Sequence, residues 1–142
     1  AVPGNFVDMN GKVLGTHKGI IHYTIGQRKG LGLAMGHPVF VVDIIPETNE
    51  VVIGENADTF SKELIADKTN FMSVEHPEDG MQVIGKIRYA HKGVPCRIYM
   101  LDDARVRVVF DEPVRAATKG QAVVFYENDY IVGGGTIKEI IR

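Results

Sequence analysis

The chain has 142 residues, 44% of them hydrophobic and 24% charged, with a formal net charge of −2. That composition suits a globular protein with a buried core, in one domain or two small ones, and excludes a disordered tract or a strongly basic nucleic-acid-binding domain. With one cysteine, no apolar run near the ~20 residues of a membrane span and no signal peptide, the sequence points to a cytoplasmic location and no internal disulfide.

The small net charge conceals a partition. Residues 1–46 carry four Lys/Arg against two Asp/Glu, residues 47–85 two against nine, and residues 86–142 ten against seven. A polyanion would meet the first and last thirds and avoid the middle. The chain starts at Ala1 and runs into Val2-Pro3-Gly4, which reads as an entry from a preceding domain.

Taken in order, Phe6-Val7-Asp8 and Lys12-Val13-Leu14 flank Asn10-Gly11, a strong hairpin signal. The stretch from His22 to Gly32 holds two adjacent cations, Arg28 and Lys29, an amide, Gln27, and three glycines. It is too broken by glycine for a long helix and too polar for a buried strand, so it reads as a loop. Arginine suits phosphate through its bidentate fork and lysine as a point charge. A surface turn that merely carries two cations fits these residues equally well. Pro38–Ile45 is rich in β-branched residues and reads as a strand, with Val51–Gly54 as its hairpin partner. One or two helical turns are expected over Asp58–Leu64, and a domain boundary near Ala66-Asp67.

The second half reads as consecutive strands. Asn70–Val74, Gln82–Tyr89, Cys96–Leu101, Arg105–Phe110, Gln121–Tyr126 and Tyr130–Ile137 are separated by turns, one of them at His76–Gly80. Val106, Val108 and Phe110 share one face, as in a half-buried strand. Short strands at near-regular spacing indicate a small barrel or sandwich, and a barrel removes exposed edges.

Candidate sites compete with plainer explanations. Cys96 has no evident base and reads as a small buried hydrophobe. The five histidines lack helical zinc spacing; His17 and His22 can meet across a turn but have no third ligand, so no metal site is predicted. Gly133-Gly134-Gly135 inside a strand reads as a bulge or barrel corner in preference to a ligand platform. Arg88 and Tyr89, adjacent on a predicted strand, would point to opposite faces, with Tyr89 inward unless it lies at a barrel rim. Gln121 follows Lys119-Gly120 at a turn and can donate and accept hydrogen bonds. No fingerprint for a dinucleotide, a phosphate loop or a catalytic triad occurs.

Two long strings add what periodicity cannot. Gly4–Asp8, Gly11–Gly19 and Tyr23–Gly32 together resemble the central signature of the tRNA-specific 2-thiouridylases, the tRNA-uridine 2-sulfurtransferases. Pro113–Ala116, Gly120–Tyr126 and Gly133–Gly135 resemble the same family's C-terminal barrel. The resemblance implies a mainly β fold, with a small central β-rich domain over 1–66 and a six-stranded antiparallel β-barrel over 67–142, similar to the second domain of elongation factor Tu. It implies a missing N-terminal domain that holds ATP with magnesium and two catalytic cysteines. There the wobble uridine would be adenylated at O2 and the oxygen replaced by persulfide sulfur, supplied by a sulfur-donor protein. No position here matches either cysteine motif, so the resemblance implies a non-catalytic piece that holds the anticodon arm of tRNA. It places tRNA contacts at Arg88, Tyr89 and Gln121. Arg28 and Lys29 are an additional candidate, from their chemistry alone, for RNA or interdomain contact. A protein-interaction or structural barrel without RNA contact, and part of an RNA methyltransferase, are the competing readings.

Overall fold

A computed structural model describes residues 1–72 and 77–142. The predicted strand end at Val74 and the turn residue His76 lie outside the described residues. The chain divides into two compact units, 1–60 and 61–142.

In the first unit, strands β1 (Gly4–Val7) and β2 (Val13–His17) form the predicted hairpin. Gly11 takes φ 87°, and the Asp8 carboxylate accepts the backbone N–H groups of Asn10 and Lys12, at 2.8 and 2.9 Å. Strands β3 (Phe40–Ile45) and β4 (Glu50–Gly54) form the second predicted hairpin. The hairpins join where β1 pairs in parallel with β4, giving the order β2-β1-β4-β3. Phe6, Val41, Val51 and Ile53 pack on one face with Tyr23, Leu31 and Val39 from the connecting loop. Burying each large apolar side chain contributes on the order of 1.5–3 kcal/mol. Val7, Val42 and Val52 cover the other face.

The helical turns expected over Asp58–Leu64 are replaced by a single 3-10 turn, Asn56–Thr59, followed at once by a strand. Glu55 and Asp58 cap that turn reciprocally, which fixes its start one turn before the long strand.

The second unit is a closed barrel of six strands: β5 (Phe60–Phe71), β6 (Met81–Lys86), β7 (Val94–Met100), β8 (Val106–Arg115), β9 (Ala122–Glu127) and β10 (Tyr130–Ile141), in the order β10-β5-β8-β7-β6-β9. Neighbours alternate in direction around the ring. The expected boundary at Ala66-Asp67 falls inside β5, six residues after the division at Phe60 and Ser61. Leu64, Ala66, Cys96, Ile98, Val106, Val108, Phe110, Val123, Phe125 and Ile137 fill the interior. Register shifts flank Gly133–Gly135, and a Cβ on Gly133 would stand 2.5 Å from the Phe71 ring and 2.6 Å from the Asn70 carbonyl. The three glycines therefore serve close packing between strands, as the bulge reading expects.

Antiparallel alternation sorts the loops. The 87–93 and 116–121 loops lie at one end of the barrel. The 77–80, 101–105 and 128–129 turns lie at the other.

Candidate nucleic-acid interface

Strand β6 ends at Lys86, so Arg88 and Tyr89 stand in the loop beyond it, not on the strand expected to reach Tyr89. Ile87, only 4% exposed, roots that loop in the core. Once strand geometry is lost, alternation no longer dictates direction. The Tyr89 ring is 100% exposed, while the Arg88 guanidinium turns inward.

Arg88 reaches across to the loop after β8. Its Nη1 donates to the Arg115 carbonyl at 2.9 Å and its Nη2 to the Ala116 carbonyl. Ala116 sits in the left-handed region at φ 56°, and the Thr118 hydroxyl donates to the same carbonyl at 3.0 Å. Burial first, and the neighbouring Arg115 charge second, lower the Arg88 pKa from its usual value. The latched loop continues into Gln121. The Gln121 N–H donates to the Thr118 carbonyl at 3.2 Å, and its own carbonyl accepts the Ile137 N–H at 2.8 Å. Gly120 supplies the turn at φ 91°, leaving Gln121 exposed with its backbone fixed. Arg88, Tyr89 and Gln121 thus share one rim.

That rim is electrostatically distinct. Its two loops contain Arg88, Lys92 and Lys119 and no carboxylate. The described turns at the opposite end contain Glu78, Asp79, Asp102, Asp103 and Asp129, against Arg105 alone. The barrel unit as a whole is neutral, with 12 Lys/Arg and 12 Asp/Glu over residues 61–142. Its charge is sorted end to end. Sequence reasoning missed this sorting, because it appears only when the strand order assigns each turn to an end. It also missed the Arg88 latch, since nothing in the local sequence names carbonyls 27 and 28 residues away as partners.

The other candidates fall elsewhere. Arg28 and Lys29 lie in the first unit, both exposed, on the loop between β2 and β3. Cys96 is buried in the barrel, with its thiol pKa pushed up to about 12 by burial first and by Asp111 second. His17 is buried with both ring nitrogens in use. Nδ1 accepts the Gly19 N–H at 2.9 Å, so Nε2 carries the proton and donates to the Asn49 carbonyl at 2.7 Å. Edge-on contacts with Phe6 and Tyr23 complete its surroundings. No group of three or more metal-ligating side chains occurs among the described residues. No helix among them is long and apolar enough to cross a membrane.

Residues 1–55 match the tRNA methyl transferase PRC-barrel domain, and residues 61–137 the aminomethyltransferase beta-barrel domain. The tRNA-specific 2-thiouridylase MnmA of Lachnoclostridium phytofermentans is 62% identical over 136 residues, covering 96% of this chain and 38% of that protein. The chain belongs to the tRNA-specific 2-thiouridylase family. The 2-thiouridylases of Clostridium botulinum strain Alaska E43 and Acetivibrio thermocellus are 58% and 55% identical, over 97% and 96% of the chain and 38% of each relative. The chain therefore spans little more than a third of these 2-thiouridylases, and its two matched segments correspond closely to its two compact units.

Proposed function

We propose that this chain is the tRNA-binding part of a tRNA-uridine 2-sulfurtransferase and does no chemistry itself. The barrel holds the anticodon arm while a domain outside these residues activates O2 of the wobble uridine with ATP and magnesium. Persulfide sulfur, delivered by a sulfur-donor protein to a cysteine of that domain, then displaces the oxygen, which leaves on AMP, and a second cysteine frees the thiouridine by closing a disulfide with the first. The buried, protonated Cys96 takes no part, because a thiol held at about pKa 12 supplies almost no thiolate at neutral pH.

The observation that carries this reading is the rim, where a cationic end of a neutral barrel presents Tyr89 and Gln121. Single-stranded RNA loops are recognised by stacking of splayed bases on aromatic rings and by hydrogen bonds to base edges and ribose hydroxyls. Tyr89 offers a bare ring for the first and Gln121 an exposed amide for the second. Lys92 and Lys119 contribute attraction to phosphate.

Titration of an unmodified tRNA transcript with the 142-residue chain, from about 50 to 200 mM salt, tests the reading. Binding that weakens with salt is expected, with a loss of about tenfold or more when Tyr89→Ala and Gln121→Ala are combined, since stacking alone contributes ~1–3 kcal/mol per base. No binding, or equal binding by wild type and the double variant, would favour a barrel that contacts only protein. The name of the domain matched by residues 1–55 keeps methyl transfer in view. Methyl incorporation by the intact parent protein, in place of sulfur, would decide for it.

A further inference from the structure

Arg28 and Lys29 take no part in the rim, yet their loop is built as firmly as the rim itself. The Gly26 N–H donates to the Val41 carbonyl at 2.7 Å and the Val41 N–H to the Gln27 carbonyl at 2.9 Å, fastening the loop's base to β3. The Gln27 side chain braces the tip from within. Its Oε1 accepts the Thr24 N–H at 3.0 Å and its Nε2 donates to the Lys29 carbonyl at 2.9 Å. Ile25 and Leu31 pack into the core on either side. The chain between them is thereby held out as a fixed projection.

We infer that this glycine-framed loop is a second RNA-backbone site, with Arg28 and Lys29 holding phosphates of the tRNA. The inference rests on the tRNA-binding reading above and extends it to the first unit. Neither cationic side chain has an ion pair or hydrogen-bond partner among the described residues, so neither need break a contact to take up a phosphate. Gly30 and Gly32 adopt φ 77° and 69°. A Cβ on Gly32 would meet nothing within 4 Å, and one on Gly30 only the Gln27 amide at 3.8 Å. The backbone is therefore open to close approach by a ligand. Beside Arg28 a cleft of about 370 Å³ runs along Gly30–Ala34 to His37. His37, which lines this cleft, contacts the Glu55 carboxylate at 3.0 Å, and no carboxylate side chain among the described residues lines the cleft itself.

The character of the surface selects RNA over protein. Protein interfaces centre on buried apolar and aromatic side chains. Ile21, near the start of the loop between β2 and β3, is exposed, but no large hydrophobic side chain from Gly26 to Gly32 is, so the projection itself offers cations and bare glycine backbone with no apolar anchor.

The test uses the 142-residue chain and the same tRNA transcript over a salt series. Arg28→Ala with Lys29→Ala is expected to weaken binding by about tenfold or more and to lower the slope of log affinity against log salt by about 1.4–1.8, the loss of two phosphate contacts. Arg28→Lys with Lys29→Arg keeps both charges and is expected to keep the slope. Lys12→Ala, an exposed cation on the same unit, is expected to leave the slope within half a contact of wild type. Wild-type binding with unchanged affinity and slope in the double alanine variant overturns this inference alone. So does an equal loss from Lys12→Ala, which would mark a diffuse charge effect. Unchanged RNA binding together with lost activity in the intact parent protein reassigns the loop to protein contact. Absence of tRNA binding by the wild-type chain overturns both this inference and the reading beneath it. Thermal unfolding of each variant separates lost contact from lost fold.

Discussion

The guanidinium of Arg88 directs two of its five N–H donors at consecutive carbonyls of the loop that ends in Gln121. Lysine can keep the charge there but cannot bridge both carbonyls with one ammonium group. Arg88→Lys is therefore expected to cost about 1–3 kcal/mol of stability, as the loop loses charge-assisted hydrogen bonds, and to weaken tRNA binding nearly as much as Arg88→Ala. If Arg88 works by holding Gln121, both variants keep the wild-type salt slope. A slope reduced by about one contact in Arg88→Ala and restored in Arg88→Lys would show a phosphate bound directly. Cys96 gives a second expectation at this scale. Its thiol is expected to resist iodoacetamide in the folded chain and to react once denaturant is added, as read by mass spectrometry. Because its folded pKa is raised, its contribution to stability is complete below the unfolded thiol's value of about 8.5 and declines as pH rises from there towards about 12. Comparison of alkaline melts of wild type and Cys96→Ala isolates that decline. The type of each residue was legible in the sequence. Which way Arg88 and Tyr89 point was not, because direction followed from the strand ending three residues earlier than expected.

Among the elements, the strands with clear alternation or β-branched runs formed where expected. Val106, Val108 and Phe110 are all buried on one face of β8. Strand β5 was the exception. Near its start, the stretch Ser61-Lys62-Glu63-Leu64 mixes charges with one large apolar residue, and its buried positions slip phase between Ser61 and Leu64. Its stability comes from partners distant in sequence, β10 and β8, which local propensity cannot report. One such tie is the pair of hydrogen bonds from Arg107 on β8 to Glu63 on β5, at 2.8 and 3.2 Å. The hydrogen bond from Arg107 is the main reason the Glu63 pKa lies below its usual value. A lowered carboxylate pKa stabilises above the unfolded value, about 4.3, and the effect is lost as pH falls through the folded value. Glu63→Gln is thus expected to melt below wild type at neutral pH and to converge with it in acid. Gly133→Ala tests the crowding at the bulge. With its added methyl 2.5 Å from the Phe71 ring, it is expected to lose about 1–3 kcal/mol in denaturant unfolding.

The molecule as a whole comprises two compact units, each with its own apolar core. Total charge was a poor guide to function at this scale. The barrel unit sums to zero, and only its winding shows that the cations gather at the Arg88 and Gln121 end. Asp102→Asn with Asp103→Asn, at the far end, is expected to leave the affinity for tRNA within about twofold of wild type. Lys92→Ala with Lys119→Ala, at the near end, is expected to lower it and to flatten its salt dependence. Such a barrel is a permanent dipole. A polyanion that drifts within about 10 Å at 0.1 M salt feels a torque before any surface touches. Encounters would then be turned the right way round in advance, so added salt should slow arrival far more than it hastens departure in stopped-flow traces.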